Sequence, residues 1–307
     1  MHGKGNLIAL IVVTIVTLGA LGWIVRDITR PASHSKAVAA KHPRDSVDNV
    51  VEGSTSSQQR DVAAPATPSS SSADATSTAA TATPDSGALR GMTIGVDAGH
   101  NGQNGSHATE INRMVDAGTL RKACDTTGTT SLAGTTESSY NLDVARRVQH
   151  LLQRRGATVV MTRTTDTDWG PCIDERARLT ARAEVAVSIH ADGNLKPGAR
   201  GFHVIVPARV AGLTDEIAAP SRLLGEAIRD ALQSGTTIPP SNYLGSAGID
   251  ERSDLGGLNL SPIPKVLVET GNMKSALDEQ TLESSAGRQR IAQAIVNGIA
   301  QWAANRQ

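Results

Sequence analysis

Residues 185–193 read VAVSIHADG, a short apolar run that reaches a histidine and then breaks into small polar residues. Two other apolar runs end in groups that bind metal or move protons: IGVDAGH delivers His100 and KVLVET delivers Glu269. A fourth such group, Glu137, opens a helical pattern in TTESSYNL. Two imidazoles and one carboxylate make a common donor set for catalytic zinc, with a fourth position left for water. A carboxylate that is not a ligand then serves as the proton carrier. On this reading His100, Glu137 and His190 hold Zn2+, and Glu269 is the catalytic acid and base. A structural zinc site would be closed by four protein ligands, usually with cysteine among them. For any one of these histidines alone, a hydrogen-bonded residue at a strand end is the simpler account.

The elements that must bring these residues together alternate. Strand runs at 92–97, 157–162, 185–190, 201–207 and 265–270 are separated by helical patterns at 138–155, 173–183, 217–233 and 286–304. The last helix carries Ile291, Ile295, Ile299 and Trp302 on one face, and Gly156 is a plausible stop for the first. This order predicts an α/β fold, a single twisted and mostly parallel sheet with helices on both faces. In such sheets chemistry collects at the carboxyl ends of the strands, where His100, His190 and Glu269 fall.

The chain has 307 residues, of which 39% are hydrophobic but only 2% aromatic, so Val, Ile, Leu and Ala must build the core. Thirty basic residues balance thirty acidic ones, leaving no surplus to neutralise phosphates and arguing against a nucleic acid partner. Residues 7–25, LIALIVVTIVTLGALGWIV, carry no charge and are long enough to cross a hydrocarbon layer of about 30 Å. Residues 1–30 are therefore read as a membrane anchor; a cleaved signal peptide is the rival, although the run is long for one. Lys4 on one side faces Arg26, Arg30 and Lys36 on the other, so charge does not orient the span. Residues 31–90, rich in Ser, Thr, Ala and Pro, lack the apolar surface to offset ordering entropy and are expected to be a disordered linker. Residues 91–307 form the folded domain. Cys124 and Cys172, in neither CxxC nor zinc-knuckle spacing, are expected to pair in an oxidising compartment.

The remaining candidates are weaker. His107 sits in a polar loop, His150 on a helix surface, and His203 in a strand where a satisfied sheet residue is the plain reading. Asp97 and Asp192 flank the ligand histidines, and either orients an imidazole or simply forms a turn. Arg176 either positions the site through a carboxylate or makes a surface ion pair. The segment 101–135 is long for a loop and either shapes or gates the site, or is a surface excursion pinned by the disulfide. Gly95, Gly99, Gly102 and Gly105 fit neither G-x-G-x-x-G nor a phosphate-binding loop, and no G-x-S-x-G elbow is present.

Five segments, in order, carry a resemblance: IGVDAGHNG; the Glu137 segment with NLDVARRVQHLLQRRGATVVMTRTTD; DERARLTARAEVAVSIHADG; GFHVIV; and IPKVLVETGNMKSALDEQTLES. Over residues 91–305 the chain resembles the zinc-dependent N-acetylmuramoyl-L-alanine amidases of the amidase-3 type. The resemblance implies His100, Glu137 and His190 as zinc ligands and Glu269 as the catalytic carboxylate. It also implies hydrolysis of the peptidoglycan amide between the lactyl group of N-acetylmuramic acid and L-alanine. Asn272, in ETGNMKS, stands where the family often has an aromatic residue in the groove wall. A wall substrate implies a head on the extracytoplasmic side, at the cell membrane if the anchor is kept and secreted or periplasmic if it is cleaved. No separate wall-binding repeat or activator protein is legible in the sequence. The competing expectation is a non-catalytic wall-binding or regulatory relative, which would lack one of the four key residues.

Overall fold

Aliphatic residues at alternate positions of four strands converge on one face of a twisted sheet and make the main core. The computed structural model describes residues 86–306. The predicted anchor span 7–25 and nearly all of the predicted 31–90 linker lie outside the described residues. Among the described residues no helix is long and apolar enough to cross a membrane. Ordered structure begins slightly before the expected boundary at Gly91: Ser86–Leu89 forms a 3-10 turn, and the Leu89 side chain is buried in the core.

The strands are β1 (Thr93–Ala98), β2 (Met114–Asp116), β3 (Arg121–Ala123), β4 (Thr158–Met161), β5 (Val185–Asp192), β6 (His203–Pro207), β7 (Ile249–Arg252) and β8 (Lys265–Asn272). The helices are α1 (Ala108–Ile111), α2 (Glu137–Arg154), α3 (Ile173–Thr180), α4 (Ala218–Gly235), α5 (Gly256–Asn259), α6 (Ala276–Leu282) and α7 (Ser285–Ala304). The main sheet has the order β4-β1-β5-β8-β6-β7. The first four strands run parallel, β6 is antiparallel to β8, and β7 follows β6 in parallel. A mostly parallel sheet is therefore correct, with one reversal. β2 and β3 form a separate antiparallel hairpin inside the long 101–135 segment.

Register divides the sheet into two unlike faces. Ile94, Val96, Val187, Ile189, Val266, Val268, Val204 and Val206 share one face and join the core cluster beneath α2, α4 and α7. The other face carries Asp97, Ser188, His190, Lys265, Leu267, Glu269, His203 and Ile205, and is only partly covered, by α3 and α5. β1 has no room for a side chain at Gly95, where a Cβ would lie 2.8 Å from Thr180 of α3. The functional residues therefore lie along the upper part of this second face as well as at its rim.

Candidate metal centre

Each of the three predicted ligands arrives on a different element. β1 ends at Ala98, and His100 follows in a left-handed turn with φ 56°. Glu137 is the first residue of α2, behind the cap Thr136, whose side chain accepts a hydrogen bond from the Ser139 amide. His190 lies near the end of β5, directly opposite Glu269 of β8. Glu137 Oε1 stands 3.2 Å from His100 Nε2 and 3.0 Å from His190 Nδ1, and the two rings meet edge to face with centroids 4.9 Å apart. All three ligand atoms lie within 4.8 Å of one another. Glu269 does not join that cluster but lines the same cavity, whose volume is about 490 Å3.

This donor set fits a divalent cation. Glu137 is buried, which alone would raise its pKa, yet the facing imidazoles of His100 and His190 hold it well below the ordinary carboxylate range. Burial alone would lower the pKa of His100, but Glu137 and Asp125 push it up to about 10. A buried carboxylate set between two imidazole nitrogens is a donor set that suits a divalent cation such as zinc. The second oxygen, Glu137 Oε2, accepts a hydrogen bond from the Thr129 amide at 3.0 Å, which fixes the carboxylate. Close quarters explain two glycines. A Cβ on Gly99 would fall 2.1 Å from the His190 ring, and one on Gly128, at φ 71°, would fall 2.7 Å from Glu137 Oε2.

Orientation of His100 comes from a residue that sequence reasoning missed. His100 Nδ1 faces Asp125 Oδ1 at 3.1 Å and the Thr126 carbonyl at 3.0 Å. Arg176 donates to Asp125 Oδ2 at 3.0 Å, to Asp97 Oδ1 at 2.8 Å and to the His100 carbonyl at 2.9 Å. Burial would raise the Asp125 pKa, but His100 and Arg176 hold it down at about 2, so it stays ionised. Asp125 lies in the 101–135 segment, where spacing carries no signal; only its position next to Cys124 hinted at a fixed location. The Cys124–Cys172 disulfide is present, with the Cα atoms 4.3 Å apart. It joins the residue before Asp125 to the N-cap of α3, the helix that carries Arg176.

The other candidates separate clearly. Arg176 takes the positioning role through a carboxylate. Asp97 does not touch an imidazole; it accepts from Arg176, Lys265, Thr162 and Ser188. Asp192 forms a turn with the Gly193 amide at 2.6 Å. His107 packs near Trp169 and His150 is exposed, so neither reaches the centre. His203 is a buried sheet residue opposite Glu269, edge-on to Tyr243 at 6.0 Å between ring centroids. Its Nδ1 has no hydrogen-bond partner among the described residues, and neither has Glu269 Oε2. Burial, with the carboxylates of Glu137 and Asp192, raises the Glu269 pKa well above its ordinary value. Asn272 makes no part of an aromatic wall: its amide donates to the carbonyls of Asn194 and Ala199 and ties down the loop after β5.

Comparison with known proteins agrees with this geometry. The family model N-acetylmuramoyl-L-alanine amidase, Amidase_3, matches residues 94–301. The N-acetylmuramoyl-L-alanine amidase Rv3717 of Mycobacterium tuberculosis is 39% identical over 215 residues, covering 69% of this chain and 86% of that protein. AmiA of Salmonella typhimurium is 30% identical over 206 residues, covering 56% of this chain and 70% of that protein. The crystal structure of the amidase Ami1 from Mycobacterium smegmatis superposes with a TM-score of 0.66 at 39% identity, covering 71% of this chain and 99% of that one. The apo Ami1 structure from Mycobacterium abscessus gives a TM-score of 0.64 at 39% identity, covering 69% and 99%. With the family model matching residues 94–301 and a relative 39% identical over 86% of its length, the chain belongs to the Amidase_3 family of N-acetylmuramoyl-L-alanine amidases.

Proposed function

We propose that this peptidoglycan amidase hydrolyses the bond between N-acetylmuramic acid and L-alanine with His100, Glu137 and His190 holding one zinc ion and Glu269 moving the proton. The convergence of three ligand atoms within 4.8 Å, with Glu269 in the same cavity, carries this reading. When bound, zinc supplies a Lewis acid and makes hydroxide available near neutral pH. Glu269 takes the proton of the attacking water on its carboxylate and delivers it to the nitrogen of the departing alanine. A carboxyl with a raised pKa suits a group that must hold that proton between two steps. Asp125 and Arg176 keep the His100 ring in place, and the Thr129 amide keeps Glu137 from turning away. The run 7–25 supports anchoring at the cell membrane, and the disulfide supports an extracytoplasmic head.

The test is release of stem peptides from purified peptidoglycan by the full chain. Activity is expected to vanish on chelation and return with stoichiometric zinc. Release that is indifferent to chelation would remove the metal from the mechanism, and wall binding without release would replace the enzyme with a regulator.

A further inference from the structure

The cavity extends beyond the reacting centre to two cations. Lys122, in β3 of the hairpin, and Arg252, the last residue of β7, both line it together with Glu269. Both are fastened to one carboxylate that does not line it, Asp254. Arg252 donates from Nε to Oδ1 and from Nη2 to Oδ2, each at 2.8 Å, and Lys122 Nζ donates to Oδ2 at 2.9 Å. Arg252 Nη1 has no acceptor among the described residues, and Lys122 has only this one. The pair is held from both sides. Thr119 of the hairpin donates to the Ser253 carbonyl, and Asn259 donates to the carbonyls of Ala117 and Ser253.

Of the other charged groups that line the cavity, Asp192 and Glu269 make no ion pair among the described residues, and the rest are matched. Asp97 is matched by Lys265 and Arg176, Asp125 by Arg176 and His100, and Glu137 by the two imidazoles. Asp250, two residues before Arg252, and Glu269 act on Arg252 through the field, but Asp250 does not line the cavity. Two pre-oriented donors on a cavity wall, each about one-third exposed, are the recognition pattern for a carboxylate. A stem peptide offers one close to its reacting amide. The residue after L-alanine is D-glutamate joined through its γ-carboxyl, so its α-carboxylate lies roughly 7 Å beyond the reacting amide at about 3.5 Å per residue.

Resting on the amidase reading, we infer that Lys122 and Arg252 form a specificity site for a stem-peptide carboxylate, so that the preferred substrates carry an unamidated second residue. The test compares muramyl tripeptides with a free α-carboxyl on D-glutamate against those with the α-amide, each with a charged or amidated third residue. The wild-type chain is expected to favour the free acid at the second position by about tenfold in kcat/KM, mostly through KM. Arg252→Gln and Lys122→Gln are each expected to bring that ratio close to one, and Arg252→Lys to keep part of it. Equal wild-type rates on acid and amide would overturn the inference while leaving the amidase standing. So would a preference that survives both glutamine variants, or one that follows the third residue instead. A wild-type chain inactive on every substrate would overturn the amidase reading itself, and the inference with it.

Discussion

His100 reaches the proposed metal centre with a backbone φ of 56°, a left-handed conformation that costs an L residue about 1–2 kcal/mol. Its surroundings hold it there: Arg176 grips its carbonyl, Asp125 and Thr126 grip its ring, and Gly99 leaves room for His190 against the turn. Removing one support should therefore show at the metal before it shows in the fold. Asp125→Ala is expected to weaken zinc affinity by about 10- to 100-fold, measured by competition with a chromophoric chelator; unchanged affinity would assign Asp125 to structure alone. Glu269→Gln keeps the shape of the side chain and leaves the ligand cluster intact. It is expected to retain zinc while turnover falls by about 10² to 10⁴, which parallel metal analysis and peptide-release assays would check. The convergence of His100, Glu137, His190 and Glu269 on one cavity was legible because each sits at the end or start of a strongly patterned element. Asp125, Lys122 and Arg252 were not, because tertiary packing alone brings them to the site.

At the scale of elements, the sheet and its longer helices follow from periodicity. α2 and α7 begin and end within a residue or so of their expected bounds, and Gly156, at φ 83°, follows the end of α2 as a helix stop should. The 101–135 segment resisted such reading because its strands are only three residues long and its order comes from contacts with distant chain. β7 and α5, four residues each, were hidden in Gly-rich sequence for the same reason, and the reversal at β6 leaves no mark on a single strand's pattern. The disulfide closes a loop across a sequence separation of 48, worth up to about 4 kcal/mol on the chain-entropy account. It also pins Asp125 beside Arg176. Cys124→Ser is thus expected to lower both the melting temperature and zinc occupancy. A variant that loses thermal stability but binds zinc at full strength would separate the bridge from the metal centre.

For the whole molecule, the two faces of the sheet divide the labour. One supplies the aliphatic core that stabilises the fold, and the other carries a buried charge network running from Lys265 through Asp97, Arg176 and Asp125 to His100, a proposed ligand. Burial alone would raise the pKa of Asp97, but Lys265 and Arg176 hold it far below the ordinary range. Its contribution to stability is therefore present in full above about pH 4, the unfolded value, and declines as pH falls toward the folded value. Urea unfolding should show wild-type stability dropping below about pH 4. In Asp97→Asn that acid dependence should be shallower, from a starting stability lower by about 3–5 kcal/mol because buried Lys265 loses its counter-charge and Arg176 keeps only Asp125. An unchanged acid slope would contradict the assignment. The most direct test of the whole account is zinc stoichiometry with X-ray absorption at the zinc edge on the purified chain. The account predicts one zinc per chain bound by two imidazole nitrogens and a carboxylate oxygen, and loss of that zinc in His100→Ala and His190→Ala. Full occupancy in either variant, or a wild-type ion with a different donor set, would contradict it.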